Sequence, residues 1–198
     1  LGARNNIPSF GIAHFTWDWF FSKLYPPAVK NSLIDYFLKM SQKASRIYFP
    51  PFTPKEILNQ YKNAVNVPLI VRKRGHKKYL INNNFKILII DSGSGILKPY
   101  IKKVLKTINK MDDITFYVPD LYNVNSENIV KIQFNELLID YIGSVDLVIS
   151  RAGFNTISEC IAYRTPMLLI GEAMNPEINE NIINLKLSGL ASFISLED

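Results

Sequence analysis

Apolar residues along this chain fall into short runs separated by polar punctuation, and beyond residue 85 the alternation becomes regular. "KILIIDSGSG" reads as a buried strand running into a glycine-rich turn. "PYIKKVLKTINK" then spaces Tyr100, Ile101, Val104, Leu105 and Ile108 along one side of a helix, with Pro99 suited to its first turn. After it come the strands "ITFYVP" and "NIVKIQF", the helix "ELLIDYIGS" and the strand "DLVIS". The helix "NTISECIAY", the strand "PMLLI", the helix "PEINENIINLKLSG" and a last strand "ASFIS" complete the series. Continuous apolar strands alternating with helices predict a parallel sheet covered on both faces, an α/β domain over residues 86–198.

The front of the chain is less regular. "IPSFGIAHF" has a strand's apolar content and ends at His14, whereas "AVKNSLIDYFLKMSQKA" places Leu33, Ile34, Phe37, Leu38 and Ala44 at helical spacing. "SRIYFPPFTP" reads as a short strand stopped by Pro50 and Pro51. Residues 1–51 are therefore expected to close an earlier domain. Residues 52–85, with Pro54, Pro68, "RKRGHKK" and "NNN", are expected to form a polar linker between domains. The chain opens without Met and stops just after a strand, so a longer protein, with its N-terminal part on this chain or another, is the expectation.

Composition narrows the class. An apolar fraction of 47% and a charged fraction of 20% over 198 residues describe a globular protein with a real core. No apolar run approaches the ~18 residues that span a bilayer. The single cysteine, Cys160, sits on the core side of a predicted helix and supports no disulfide framework, which fits a cytoplasmic protein. The net charge of +6 is uneven, with a balance of +10 up to Phe85 and −4 beyond it.

In a doubly wound sheet, ligands bind where the carboxyl ends of strands lead into helix N-termini. Ser150 to Thr156 fall at such a point. Gly153 permits a tight turn, and the backbone N–H groups that follow suit a phosphate or diphosphate, or else the turn is an ordinary one capped by Asn155 or Thr156. Glu159, read as lying in the first turn of that helix, either complements the dipole or accepts from both hydroxyls of a ribose. Glu177 and Asn181, four apart, share one face at the start of the next helix, as a second acceptor pair or as a solvated turn. "DSGSG" brings Gly93 and Ser94 to the same rim, where they can approach a phosphate.

Two residues are candidates for proton transfer. His14 ends a strand expected to face the cleft and either takes a proton from an acceptor hydroxyl or is satisfied structurally. Asp18, in "TWDW", is the rival base or a cap for the following helix, while Trp17 and Trp19 either stack on an acceptor sugar or pack internally. "RKRGHKK", with His76, is a solvated loop or a patch attracted to an anionic membrane surface. Nothing accompanies that charge to recognise nucleic acid.

"QFNELLIDYIGSVDLVISRAGFNTISE" resembles the C-terminal domain of glycosyltransferase family 28, a GT-B family whose best-known member adds N-acetylglucosamine to a lipid-linked peptidoglycan precursor. The likeness runs without a gap through Gln133, Phe134, Asp146, Arg151, Gly153, Thr156, Ser158 and Glu159, and "ENIINLKLSG" continues it at Asn181 and Gly189. It implies that Phe134 and Asn135 read the base, that Gly153, Phe154, Asn155 and Thr156 hold the diphosphate, and that Glu159 holds the ribose. It further implies that Glu177 and Asn181 hold the sugar hydroxyls. "NIPSFGIAHFTWDW", "VPLIVRK" and "GFNTISECIAYRTP" are similar to predicted glycosyltransferases that include the half fused to a sugar kinase in plant arabinokinases. Ala152 replaces a hydroxyl residue, Glu177 replaces an amide and the preceding loop is one residue shorter, which leaves donor sugar and base open.

The resemblance thus implies transfer of a sugar from a nucleotide-sugar, a UDP-sugar, to an acceptor hydroxyl of unstated identity. Helix amides would stabilise charge on the leaving diphosphate without a metal or other cofactor. Hydrolysis or epimerisation of the same donor, and a non-catalytic nucleotide-binding subunit, are the alternatives.

Overall fold

The computed structural model describes residues 5–25, 32–73, 80, 83–91, 95, 98–107, 111–122, 125–133, 136–172 and 174–194. The chain divides into two compact units, Leu1–Ile70 with Ala173–Asn181, and Val71–Glu172 with Ile182–Asp198.

In the first unit, β1 (Phe10–Ile12), β2 (Arg46–Phe49) and β3 (Ala64–Asn66) form a parallel sheet in that order. Phe10 lies opposite Arg46, and Ile47 opposite Ala64. The period of two along a strand sends Ile47 and Phe49 to the same buried side. There they meet Trp19 from α1 (Trp17–Leu24), Ile57 from α3 (Lys55–Gln60) and Tyr61. Leu38 of α2 (Ser32–Gln42) packs against the edge of this cluster, and the Phe37 ring stacks on Phe21 at 5.7 Å.

Residues 52–66 correct the reading of 52–85 as a linker. They carry α3 and β3, and Ile57 is fully buried. α3 has six residues started by Pro54, and β3 has three residues with a single branched apolar side chain. Neither is long enough to display a period, so tertiary burial rather than local pattern holds them in place.

The second unit is a six-stranded parallel sheet. Its strands are β4 (Phe85–Ile90), β5 (Ile114–Pro119), β6 (Ile129–Ile132), β7 (Leu147–Arg151), β8 (Met167–Ile170) and β9 (Ser192–Ile194), in the order β6-β5-β4-β7-β8-β9. Every described pair is parallel. α4 (Lys98–Thr107), α5 (Leu138–Ile142), α6 (Phe154–Tyr163) and α7 (Pro176–Ser188) supply crossovers, α7 beginning in the first unit and ending in the second. The last four residues of β4 are all buried, as a strand covered on both faces requires. Ile87, Ile89, Phe116, Val118, Tyr122 and Ile170 form the core on one side of this sheet. Cys160 is buried as expected.

The strand order has a consequence for ligands. It reverses between β4 and β7, the topological switch point of a Rossmann-type sheet. Ile90 pairs with Ser150 there, so the carboxyl ends of these two strands lie side by side. The segment after β7, which leads into α6, starts from that point.

Candidate functional site

At the switch point, β7 delivers Arg151, and Gly153 acts as the N-cap of α6. Gly153 has φ −77° and ψ 137°, extended backbone open to any residue. The turn's own geometry therefore does not require glycine at this position. The turn is closed instead by the Gly153 N–H, which donates to the Arg151 carbonyl at 2.7 Å. The Ser150 hydroxyl donates to the same carbonyl at 2.6 Å.

The N-cap is a glycine and brings no side chain to the start of α6. The alternative in which Asn155 or Thr156 serves as the cap does not hold, because both lie inside the helix. The backbone N–H groups of Asn155 and Thr156 meet no acceptor among the described residues. A helix of this length carries roughly half a positive charge at its N-terminus, so uncapped amides there favour an anion. The Ser158 hydroxyl, on the same helix, is also buried and has no partner among the described residues.

Arg151 is nearly buried and donates through Nη1 to Glu172 Oε2 at 2.8 Å, tying the end of β7 to the segment after β8. Glu172 was not anticipated from sequence. Gly93, Ser94, Phe134 and Asn135 lie outside the described residues.

Glu159 differs from expectation in place and surroundings. It is the sixth residue of α6, in the second turn rather than the first, and is 3% exposed. Its Oε1 accepts from Arg72 Nε at 2.6 Å. Arg72 in turn is held above its ordinary pKa chiefly by that hydrogen bond. The Arg72 carbonyl accepts from the Tyr163 hydroxyl at 3.2 Å, a second tie to the same helix. Sequence reading missed Arg72 because it opens the basic run "RKRGHKK", which by composition is a solvated loop; the remainder of that run, from residue 74, lies outside the described residues. A usable signal was present in "VPLIVRK", where a strand-like segment carries the arginine.

The first unit gathers a second set. His14 follows β1, with its Nε2 3.3 Å from Asn181 Oδ1 and its Nδ1 4.0 Å from Glu177 Oε1. The imidazole is buried, and burial pushes its pKa down to about 4, with the Asn181 contact pulling the other way. It is thus a neutral base at ordinary pH. Glu177 is in the first turn of α7, while Asn181, 1% exposed, is one turn further on. His14, Glu177 and Asn181, nominated separately from sequence, form one constellation.

Asp18 has a different setting. It is 2% exposed and accepts from the Tyr61 hydroxyl at 2.6 Å and from Gln60 Nε2 at 3.3 Å. With both oxygens engaged it fastens α1 to the end of α3, which is a structural use of the carboxylate. Trp19 is buried and donates to Glu56 at 2.7 Å, whereas Trp17 is half exposed against Phe15, Phe20 and Phe37.

Comparison with known proteins adds three findings. The family description "Glycosyltransferase family 28 C-terminal domain" matches residues 91–191. The chain is 27% identical over 136 residues to the UDP-N-acetylglucosamine--N-acetylmuramyl-(pentapeptide) pyrophosphoryl-undecaprenol N-acetylglucosamine transferase of Thermosipho melanesiensis, covering 67% of this chain and 40% of that protein. It is 30% identical over 123 residues to the enzyme of the same name from Staphylococcus saprophyticus, covering 58% and 34%. Among solved structures, the glycotransferase of kitacinnamycin superposes with a TM-score of 0.69 at 13% identity, over 100% of this chain and 60% of that one. The chain thus spans about two fifths or less of these two sequence relatives. The structural likeness shows the GT-B fold alone. Among the described residues no helix is long and apolar enough to cross a membrane.

Proposed function

Because the chain belongs to the glycosyltransferase family 28 C-terminal domain family, we propose that it is part of an enzyme that transfers a sugar from a UDP-sugar to an acceptor hydroxyl. The observation that carries this reading is the start of α6 at the sheet's switch point, where the Asn155 and Thr156 amides meet no acceptor among the described residues. The relatives' names include UDP-N-acetylglucosamine, which supports uridine as the base.

In this proposal the donor's diphosphate sits before α6. As the acceptor oxygen bonds to the anomeric carbon, the bond from that carbon to the diphosphate breaks and negative charge grows on the leaving oxygens. Amides already aimed there stabilise that charge without reorganising, a contribution of ~3 kcal/mol for a single well-placed donor. The acceptor's proton is assigned to His14, which burial keeps neutral at ordinary pH, at the cost of making it a weaker base than a free imidazole. Asn181 orients the ring, and Glu177 offers it a carboxylate. Glu177 and Asn181 are also the proposed partners of the sugar hydroxyls. His14 is preferred to Asp18 as the base because the Asp18 oxygens are already engaged. We place the enzyme in the cytoplasm, at the surface of an anionic membrane.

Gly153→Ala tests the diphosphate site, because its extended backbone accepts alanine without strain, while in this proposal a methyl at the N-cap crowds the approach to the amides. Calorimetry on the full-length protein should give at least a tenfold weaker affinity for UDP, about 1.4 kcal/mol. Unchanged affinity contradicts the site. Product analysis with UDP-N-acetylglucosamine, with and without lipid-linked acceptor, then separates transfer from hydrolysis or epimerisation.

A further inference from the structure

Glu159 is a carboxylate with a 4% exposed side chain, and among the described residues its one hydrogen-bonding partner is Arg72. A buried carboxylate standing without a partner is costly. Arg72 supplies that partner. Its guanidinium is mostly exposed, yet two ties hold the residue to one helix, Nε to Glu159 and the carbonyl to Tyr163 one turn further along α6. An ionised carboxylate offers about four lone-pair sites over two oxygens. Arg72 Nε uses Oε1 and leaves Oε2 for a ligand.

We infer that Arg72 is a positioning residue for pentose recognition: it holds the Glu159 carboxylate in one orientation, with Oε2 presented to the two hydroxyls of a ribose. Arg72 thereby sets the discrimination between ribonucleotides and 2′-deoxyribonucleotides. This rests on the reading of the α6 turn as a nucleotide diphosphate site. A deoxyribose offers Glu159 one hydroxyl fewer, and a hydrogen bond to a charged group is worth about 1.5–3 kcal/mol, or roughly ten- to a hundredfold in affinity. Without the guanidinium, the Glu159 carboxylate would lose its fixed orientation, and this preference would vanish while the diphosphate contacts persisted.

The test is calorimetry on the full-length protein with UDP and 2′-deoxy-UDP, for wild type, Arg72→Gln and Arg72→Lys. Wild type should prefer UDP by at least tenfold. In Arg72→Gln, UDP affinity should fall about tenfold while 2′-deoxy-UDP affinity stays within twofold, bringing the preference close to one. Arg72→Lys, which keeps the charge but loses the directed Nε, should fall between. Should Arg72→Gln not fold, Arg72→Lys decides alone: a reduced preference supports the inference and a wild-type preference overturns it. An intact preference in Arg72→Gln, or equal loss of both ligands, also overturns it while leaving the diphosphate site standing. A wild-type protein indifferent to UDP overturns the parent reading and this inference with it.

Discussion

Burial lowers the His14 pKa to about 4, and the unfolded chain takes up the same proton near 6.5. Between those values the unfolded state binds more protons, so stability falls as pH drops through that window and levels off below it. A gap of this size is worth on the order of 3 kcal/mol. Urea denaturation at pH 7 and pH 4.5 should show a larger loss for wild type than for His14→Gln; equal losses would remove His14 as the cause. At this scale the sequence was legible one residue at a time. His14, Glu177 and Asn181 were each picked out by chemistry, but their meeting depends on residues 167 positions apart and no local pattern records it. The Arg72–Glu159 pair, 87 positions apart, was hidden for the same reason. Asp18 shows the converse, since an acid beside two tryptophans reads as chemistry until Tyr61 and Gln60 claim it.

The elements of the second unit were readable because strands buried on both faces must be continuously apolar and the helices between them need one apolar side. "KILII" and "DLVIS" became β4 and β7 within a residue or so. Short elements escaped. β3 is "AVN", and its place comes from pairing with β2 rather than from its own pattern. Glu159 was set one turn too early because the helix start was read late, with Asn155 or Thr156 as the cap, instead of at Phe154 behind an extended Gly153. Packing gives α3 its test. Ile57 is fully buried among Trp19, Phe49 and Tyr61, so Ile57→Ala should lower unfolding free energy by roughly 2–5 kcal/mol in a denaturant titration. A loss under about 0.5 kcal/mol, the range of surface substitutions, would return that residue to a linker.

For the whole molecule, a parallel α/β sheet could be read from alternation, but the order β6-β5-β4-β7-β8-β9 could not, because crossovers leave no trace in a linear pattern. That order is what turns a glycine-containing turn into a candidate site. The charge balance of +10 up to Phe85 also belongs at this scale. Full-length protein should sediment with phosphatidylglycerol vesicles at low salt and be released as the Debye length shrinks from ~10 Å at 0.1 M to ~3 Å at 1 M. Binding that ignores salt, or no binding, would remove the membrane-surface proposal. The central claim, that the start of α6 receives a nucleotide diphosphate, is tested most directly by amide NMR of the full-length protein titrated with UDP. The Asn155 and Thr156 amide signals should move furthest downfield as they acquire an acceptor. Saturable UDP binding that leaves those two signals in place would contradict it.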